Sequence, residues 1–190
     1  MKTKSVNIRE LCFLSLLVAI LFVQETIMSY IPNVQLSVLL IMVYASTLGL
    51  SKATLVMTVH VLLDNMLWGS MSPTTVLPMW LGWFIVTLIG WALRRARLPF
   101  IVVGSVIGSL CYCWSFVLFK WLFLPIDIMA YVVSDILFEI LICCSSVVTV
   151  TILYRPTERL LKKFYQRVCN ERQTEPSDTT QKVDGETEDE

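Results

Sequence analysis

The sequence is poor in charge and lacks the short motifs that mark common enzymes. Asp, Glu, Lys and Arg make up 16% of its 190 residues, against about 25% in an ordinary soluble domain. His60 is the lone histidine. There is no glycine-rich phosphate loop, no GxSxG turn and no HExxH pair, so the chain has no ATPase of its own and no obvious catalytic set. Six cysteines form no CxxC and have no histidine cluster beside them. Cys12, Cys111, Cys113, Cys143 and Cys144 fall in apolar runs and Cys169 in a basic segment, which reads as reduced thiols rather than a disulfide framework or a metal site. No basic patch of the kind that binds nucleic acid occurs. The expectation is a chain that is not an enzyme and carries neither cofactor nor resident metal.

What is present in quantity is apolar sequence. Apolar residues reach 56%, above the 45–50% or so of soluble proteins, and the mean hydropathy is +0.70. A helix needs about 20 apolar residues to cross a bilayer. Runs at 11–31, 35–50, 53–68, 75–93, 99–123 and 128–154 are read as membrane helices, the second of them short. The polar start followed by an apolar run is read as a retained first helix rather than a signal peptide, because the run is long and no small-x-small cleavage site follows. The reading is therefore an all-α polytopic membrane protein, a bundle of six transmembrane helices. Residues 1–9 form a basic N-terminus, 10–155 the membrane domain, 156–169 a basic juxtamembrane segment lying along the inner surface, and 170–190 a tail.

Orientation follows from the bases. Lys2, Lys4 and Arg9 precede the first run, and Lys52 separates the second from the third. Arg94, Arg95 and Arg97 separate the fourth from the fifth, and Arg155, Arg159, Lys162, Lys163 and Arg167 follow the sixth. The three alternate turns contain no Lys or Arg. Both termini are accordingly expected in the cytoplasm. The net charge of zero divides into a tail with eight acids and two bases and a body with thirteen bases and seven acids. So polar and acidic a tail buries too little apolar surface to fold and is expected to be disordered and dispensable.

Charges inside membrane helices are costly and therefore point to function. They are Glu25, Asp64, Lys120, Asp135 and Glu139, with His60 beside them. Counting about 1.5 Å per residue, most of them fall in the outer half of the membrane, as a polar pocket opening outward would require. For Lys120 the structural alternative is pairing with Asp127 or snorkelling to the surface. His60 and Asp64, and Asp135 and Glu139, share helix faces at a spacing of four, an arrangement that a divalent cation would also use. Trp80, Trp83 and Trp114 either pack within the bundle or offer flat faces to a heterocycle, while Trp68, Trp91 and Trp121 suit an interfacial belt. Small residues at a spacing of four, Ser15/Ala19, Ala45/Gly49 and Gly104/Gly108, either close the bundle or dock a second membrane protein.

Four features resemble the substrate-binding S component of energy-coupling factor (ECF) vitamin transporters. They are the length with six helices and both ends inside, the run Leu14-Ser15-Leu16-Leu17-Val18-Ala19, the segment Ile31-Pro32-Asn33-Val34-Gln35-Leu36-Ser37, and Asp64-Asn65-Met66-Leu67-Trp68-Gly69 with Ser72-Pro73-Thr74 and Met79-Trp80-Leu81-Gly82-Trp83. The last two are similar to patterns in members assigned to cobalamin and related substrates. The resemblance covers residues 8–165. Ser15 replaces the usual first alanine, Leu36 stands where a proline is expected, and Pro78 falls inside the fourth helix. The resemblance implies high-affinity capture of a vitamin-like solute beneath the first outer loop, in the cell membrane of a prokaryote. It also implies docking through Ser15 and Ala19 on an energising transmembrane subunit driven by two ATPase subunits. The site expected is Asn33, Gln35, Asn65, Trp80, Trp83, Trp114, Lys120 and Asp135. Two other classes stay open: a cation- or proton-coupled secondary transporter using Asp64, Asp135 and Glu139, and an intramembrane metal-dependent enzyme.

Overall fold

Backbone in hydrocarbon has no water to bond with, so long apolar segments satisfy their amides internally as helices. The computed structural model describes residues 8–28, 36–68, 71–125 and 127–170. It consists of α1 (Ile8–Met28), α2 (Ser37–Leu48), α3 (Leu50–Leu67), α4 (Pro73–Ala92), α5 (Leu98–Phe123) and α6 (Ile128–Asn170), with no strand among the described residues. The six expected helices are all there. Four of them, α1, α4, α5 and α6, are long and apolar enough to cross a membrane.

The two that differ do so for physical reasons. Helix α2 has 12 residues, about 18 Å at 1.5 Å per residue, well short of a hydrocarbon core of about 30 Å. Helix α3 has 18 residues but carries Lys52, His60, Asp64 and Asn65, which dilute its apolar character. Neither has to stand alone in lipid. Helices α1, α3, α4, α5 and α6 form a ring in that order, α6 returning to α1, and α2 stands inside it in contact with all five. Ser37 to Ala45 is buried apart from Leu40. The ring helices turn Leu16, Ile20, Val23 and Ile27 of α1, Val103 and Ile107 of α5, and Val133, Leu137 and Ile140 of α6 outward. Apolar side chains exposed along whole helices are compatible with a membrane location and costly in water.

Two glycines close the centre of the bundle. Gly49 alone links α2 to α3 with φ of 85°, a left-handed conformation that glycine adopts at no steric cost. Gly90 brings α4 against α2: a Cβ there would lie 2.7 Å from Met42 Cα and 3.0 Å from Met42 O. Those are backbone atoms, and they cannot swing aside. Gly90→Ala is therefore expected to destabilise by about 1–3 kcal/mol through overpacking, seen as a lower melting temperature in detergent. A midpoint equal to the parent's would contradict the close crossing. Gly104 and Gly108 likewise face Leu93, Ile89 and Val86 inside the bundle, and Ala45 is buried.

One end of the bundle gathers the bases. Lys52 of α3 bonds both Glu10 of α1 and Tyr165 of α6. Arg155 donates to the Ala96 carbonyl in the α4–α5 turn at 3.5 Å and to Glu158 at 3.2 Å. Glu158 is buried and also accepts from Lys162 at 2.6 Å. The expected boundary at residue 155 does not interrupt α6, which continues through Pro156 to Asn170. A proline inside a helix removes one backbone bond. Here the amphipathic stretch after it compensates by packing: Leu161 is buried, and Tyr165 stacks on Phe13 at 5.9 Å between ring centres.

Candidate functional site

The opposite end of the bundle collects the acids and the histidine, because α1 and α3 end there and α6 begins there. Gln24 donates to Ser37 Oγ at 2.6 Å and so ties the end of α1 to the start of α2. One residue on, Glu25 Oε2 lies 2.9 Å from His60 Nε2 of α3, close enough for ion pairing but without hydrogen-bond alignment. His60 is fully buried, and its Nδ1 has no hydrogen-bond partner. Asp64, one turn along, lies within electrostatic reach of both Glu25 and His60. Asn65 is buried and donates to the Val61 carbonyl at 2.8 Å and to Met79 Sδ at 3.2 Å, which fastens α3 to α4.

A second group forms between α5 and α6. Tyr112, Cys113, Phe116, Tyr131, Asp135 and Phe138 line a cavity of about 220 Å³. Lys120 places its ammonium 3.8 Å from the centre of the Tyr131 ring, a cation–π contact, and its charge also reaches Asp135. Tyr112 joins the two groups. It packs on Trp83 of α4 at 4.4 Å between ring centres and lies within electrostatic reach of Glu25 and Asp64. This approach depends on Gly82, where a Cβ would stand 2.7 Å from Tyr112 Cδ2 and 3.0 Å from its Cα. The result is an aromatic cleft between α5 and α6, open on one side, with Asp135 on its wall and Lys120 over Tyr131.

No protein-family model, curated protein or solved structure matches this chain. The site must therefore be read from its own chemistry. Of the residues expected from the sequence, Lys120 and Asp135 come together beside Tyr131. Trp83 is fully buried on Tyr112, and its indole Nε1 is without a partner. Trp80 sits one turn away, stacked on Phe84 at 5.1 Å, and its Nε1 donates to Thr58 Oγ1 at 3.0 Å. Its hydrogen bond is thus already spent on α3. Asn33 and Gln35 lie outside the described residues.

Trp114 is 57% exposed and is not among the residues that line the α5–α6 cavity, whereas Tyr112, two residues earlier, is buried and lines it. The small-residue pairs also separate. Ser15 and Ala19 are exposed in a groove between α1 and α3 with Leu55, Val59 and Leu63, whereas the other two pairs place residues inside the bundle. Lys120 is engaged by Tyr131; the expected alternative, pairing with Asp127, does not occur, and Asp127 instead accepts from the Met129 and Ala130 amides at 3.0 and 3.3 Å. Among the described residues no three His, Cys, Asp or Glu side chains converge as a metal site. His60 meets Glu25 of α1, and Asp135 faces the α5–α6 cavity.

Proposed function

We propose that this chain is the solute-binding membrane subunit of an uptake system, capturing a small heterocyclic micronutrient at the acidic end of the bundle. The observation that carries the reading is the open cleft that Tyr112, Phe116, Tyr131 and Phe138 form with Asp135, with Lys120 over the Tyr131 ring. Aromatic faces hold a flat ring, and the carboxylate orients a donor or positive substituent. The volume of about 220 Å³ is below the 300 Å³ or so at which drug-sized pockets begin, so a small heterocycle suits it better than a corrinoid. In this proposal the basic end faces the cytoplasm, as the bases require, and the cavity faces outward. With no ATPase motif in the chain, energy comes from partner subunits, as in the ECF vitamin transporters that the sequence resembles. Ser15 and Ala19 on their outward groove supply the docking face.

Asp135→Asn should weaken solute binding by about 10-fold or more, the worth of a hydrogen bond to a charged group. Trp114→Ala should leave affinity unchanged, because that ring is turned away. Titration of the purified variants with the solute that the parent carries checks both. Parental affinity for Asp135→Asn, or a loss for Trp114→Ala, would move the pocket elsewhere.

One observation favours a second reading. A buried histidine beside a carboxylate inside a membrane bundle is what a proton-coupled carrier uses, and His60 is fully buried with Glu25 2.9 Å from its Nε2. Proteoliposomes containing this chain alone decide between them. Solute accumulation driven by an imposed pH gradient and lost in His60→Gln supports the carrier. Binding without transport until partner subunits are added supports the binding subunit.

A further inference from the structure

The basic end holds a second, separate opening. A slot of about 340 Å³ runs between α1 and the part of α6 beyond Pro156. Leu17 and Tyr44 form its floor, Leu16 and Ile20 its α1 wall, and Leu160 and Phe164 its α6 wall. Tyr44 spends its hydroxyl on the Leu17 carbonyl at 3.3 Å, which leaves the slot apolar.

The slot is lined almost wholly by apolar side chains and runs along two neighbouring helices, a shape that a linear hydrocarbon chain follows lengthwise. The rim decides what is attached to that chain. Arg159, Lys163 and Arg167 recur every fourth residue and are exposed, so they form one stripe along α6. At 100° per residue the stripe lies on the outer face of α6, away from the buried Glu158 and Leu161, and its long side chains must reach around Leu160 to the slot. None of the three has an acidic partner among the described residues, whereas Lys52, Arg155 and Lys162 are each paired. Bases that pair with no acid among the described residues, close to an apolar slot, complement a phosphate joined to an acyl chain.

We propose that this slot is a binding site for an anionic phospholipid, with one acyl chain lying between α1 and α6 and the headgroup phosphate on the Arg159, Lys163 and Arg167 stripe. The site is independent of the solute cavity and of the reading given to it.

The test is native mass spectrometry of the full-length protein in detergent, incubated with phosphatidylglycerol or phosphatidylcholine of equal chain length. The parent is expected to retain phosphatidylglycerol about 5- to 30-fold better, as one or two engaged bases would give. Replacing Arg159, Lys163 and Arg167 together with Gln should reduce phosphatidylglycerol to the phosphatidylcholine level. Leu160→Trp, at a position 58% exposed where a larger side chain disturbs no core, should fill the slot and lower retention of both lipids. Unchanged circular dichroism in each variant shows that the fold is intact. Equal retention of the two lipids by the parent overturns the proposal. So does parental phosphatidylglycerol retention in the triple variant or in Leu160→Trp.

Discussion

Trp83→Ala is expected to lower stability by about 3–5 kcal/mol, the cost of emptying a buried tryptophan site, and to abolish solute binding in whatever fraction folds. Trp83 is fully buried, and its ring lies 4.4 Å from that of Tyr112. Removing it takes away the support that holds Tyr112 against the cavity. Trp83→Phe separates the two roles. The indole Nε1 makes no hydrogen bond in the protein, so phenylalanine forfeits none of the existing bonds and should cost under about 1.5 kcal/mol. Because Nε1 is fully buried and Trp83 does not line the cavity, that variant is expected to keep both its melting temperature and its solute affinity. Parental stability in Trp83→Ala would show that the Trp83–Tyr112 contact does not organise this end of the bundle.

Ala19→Trp is expected to abolish uptake while leaving solute affinity in detergent unchanged. Ala19 is exposed in the α1–α3 groove beside Ser15, whose hydroxyl is satisfied by the Leu11 carbonyl at 3.0 Å. Small residues with no outward hydrogen-bonding demand let a partner helix approach closely, and an indole there holds it off. The position touches neither the cavity nor the buried core of α2, so binding should survive. Whole-cell uptake and titration of the same variant together check the expectation. Unchanged uptake would remove Ser15 and Ala19 from the docking role, and a parallel loss of binding would assign Ala19 to packing.

The helices were legible in the sequence because each is a long apolar run ended by proline, glycine or charge. Gly49, Pro73, Arg94 to Arg97 and Pro125 all mark helix ends or turns. The central place of α2 was not legible. Burial on all sides looks the same in sequence as exposure to lipid, since both favour Leu, Ile, Val and Met. For the same reason the inward face of α5 is not marked in the sequence. Tyr112 and Trp114 are two residues apart, hence about 200° around a helix, and nothing local distinguishes the inward ring from the outward one. Glycines hold the better signal: Gly82 marks where Tyr112 crosses α4, and Gly104 and Gly108 mark the buried stripe of α5. The Glu25–His60 contact brings together helices separated by α2. Its only trace in the sequence was that a lone buried histidine needs a partner at similar depth, and Glu25 falls near the corresponding end of α1. Pro156 was read as a helix end, but Leu161 and Tyr165 outweigh it by packing against the rest of the bundle.

Whether the acidic end of the bundle holds a small solute is decided by mass spectrometry of the molecules released on denaturing the purified protein. One small ring compound is expected, carried by the parent and by Trp114→Ala and depleted in Asp135→Asn and Trp83→Ala. A compound carried equally by all four proteins, or a protein that binds none of a panel of heterocyclic micronutrients in titration, would contradict that expectation.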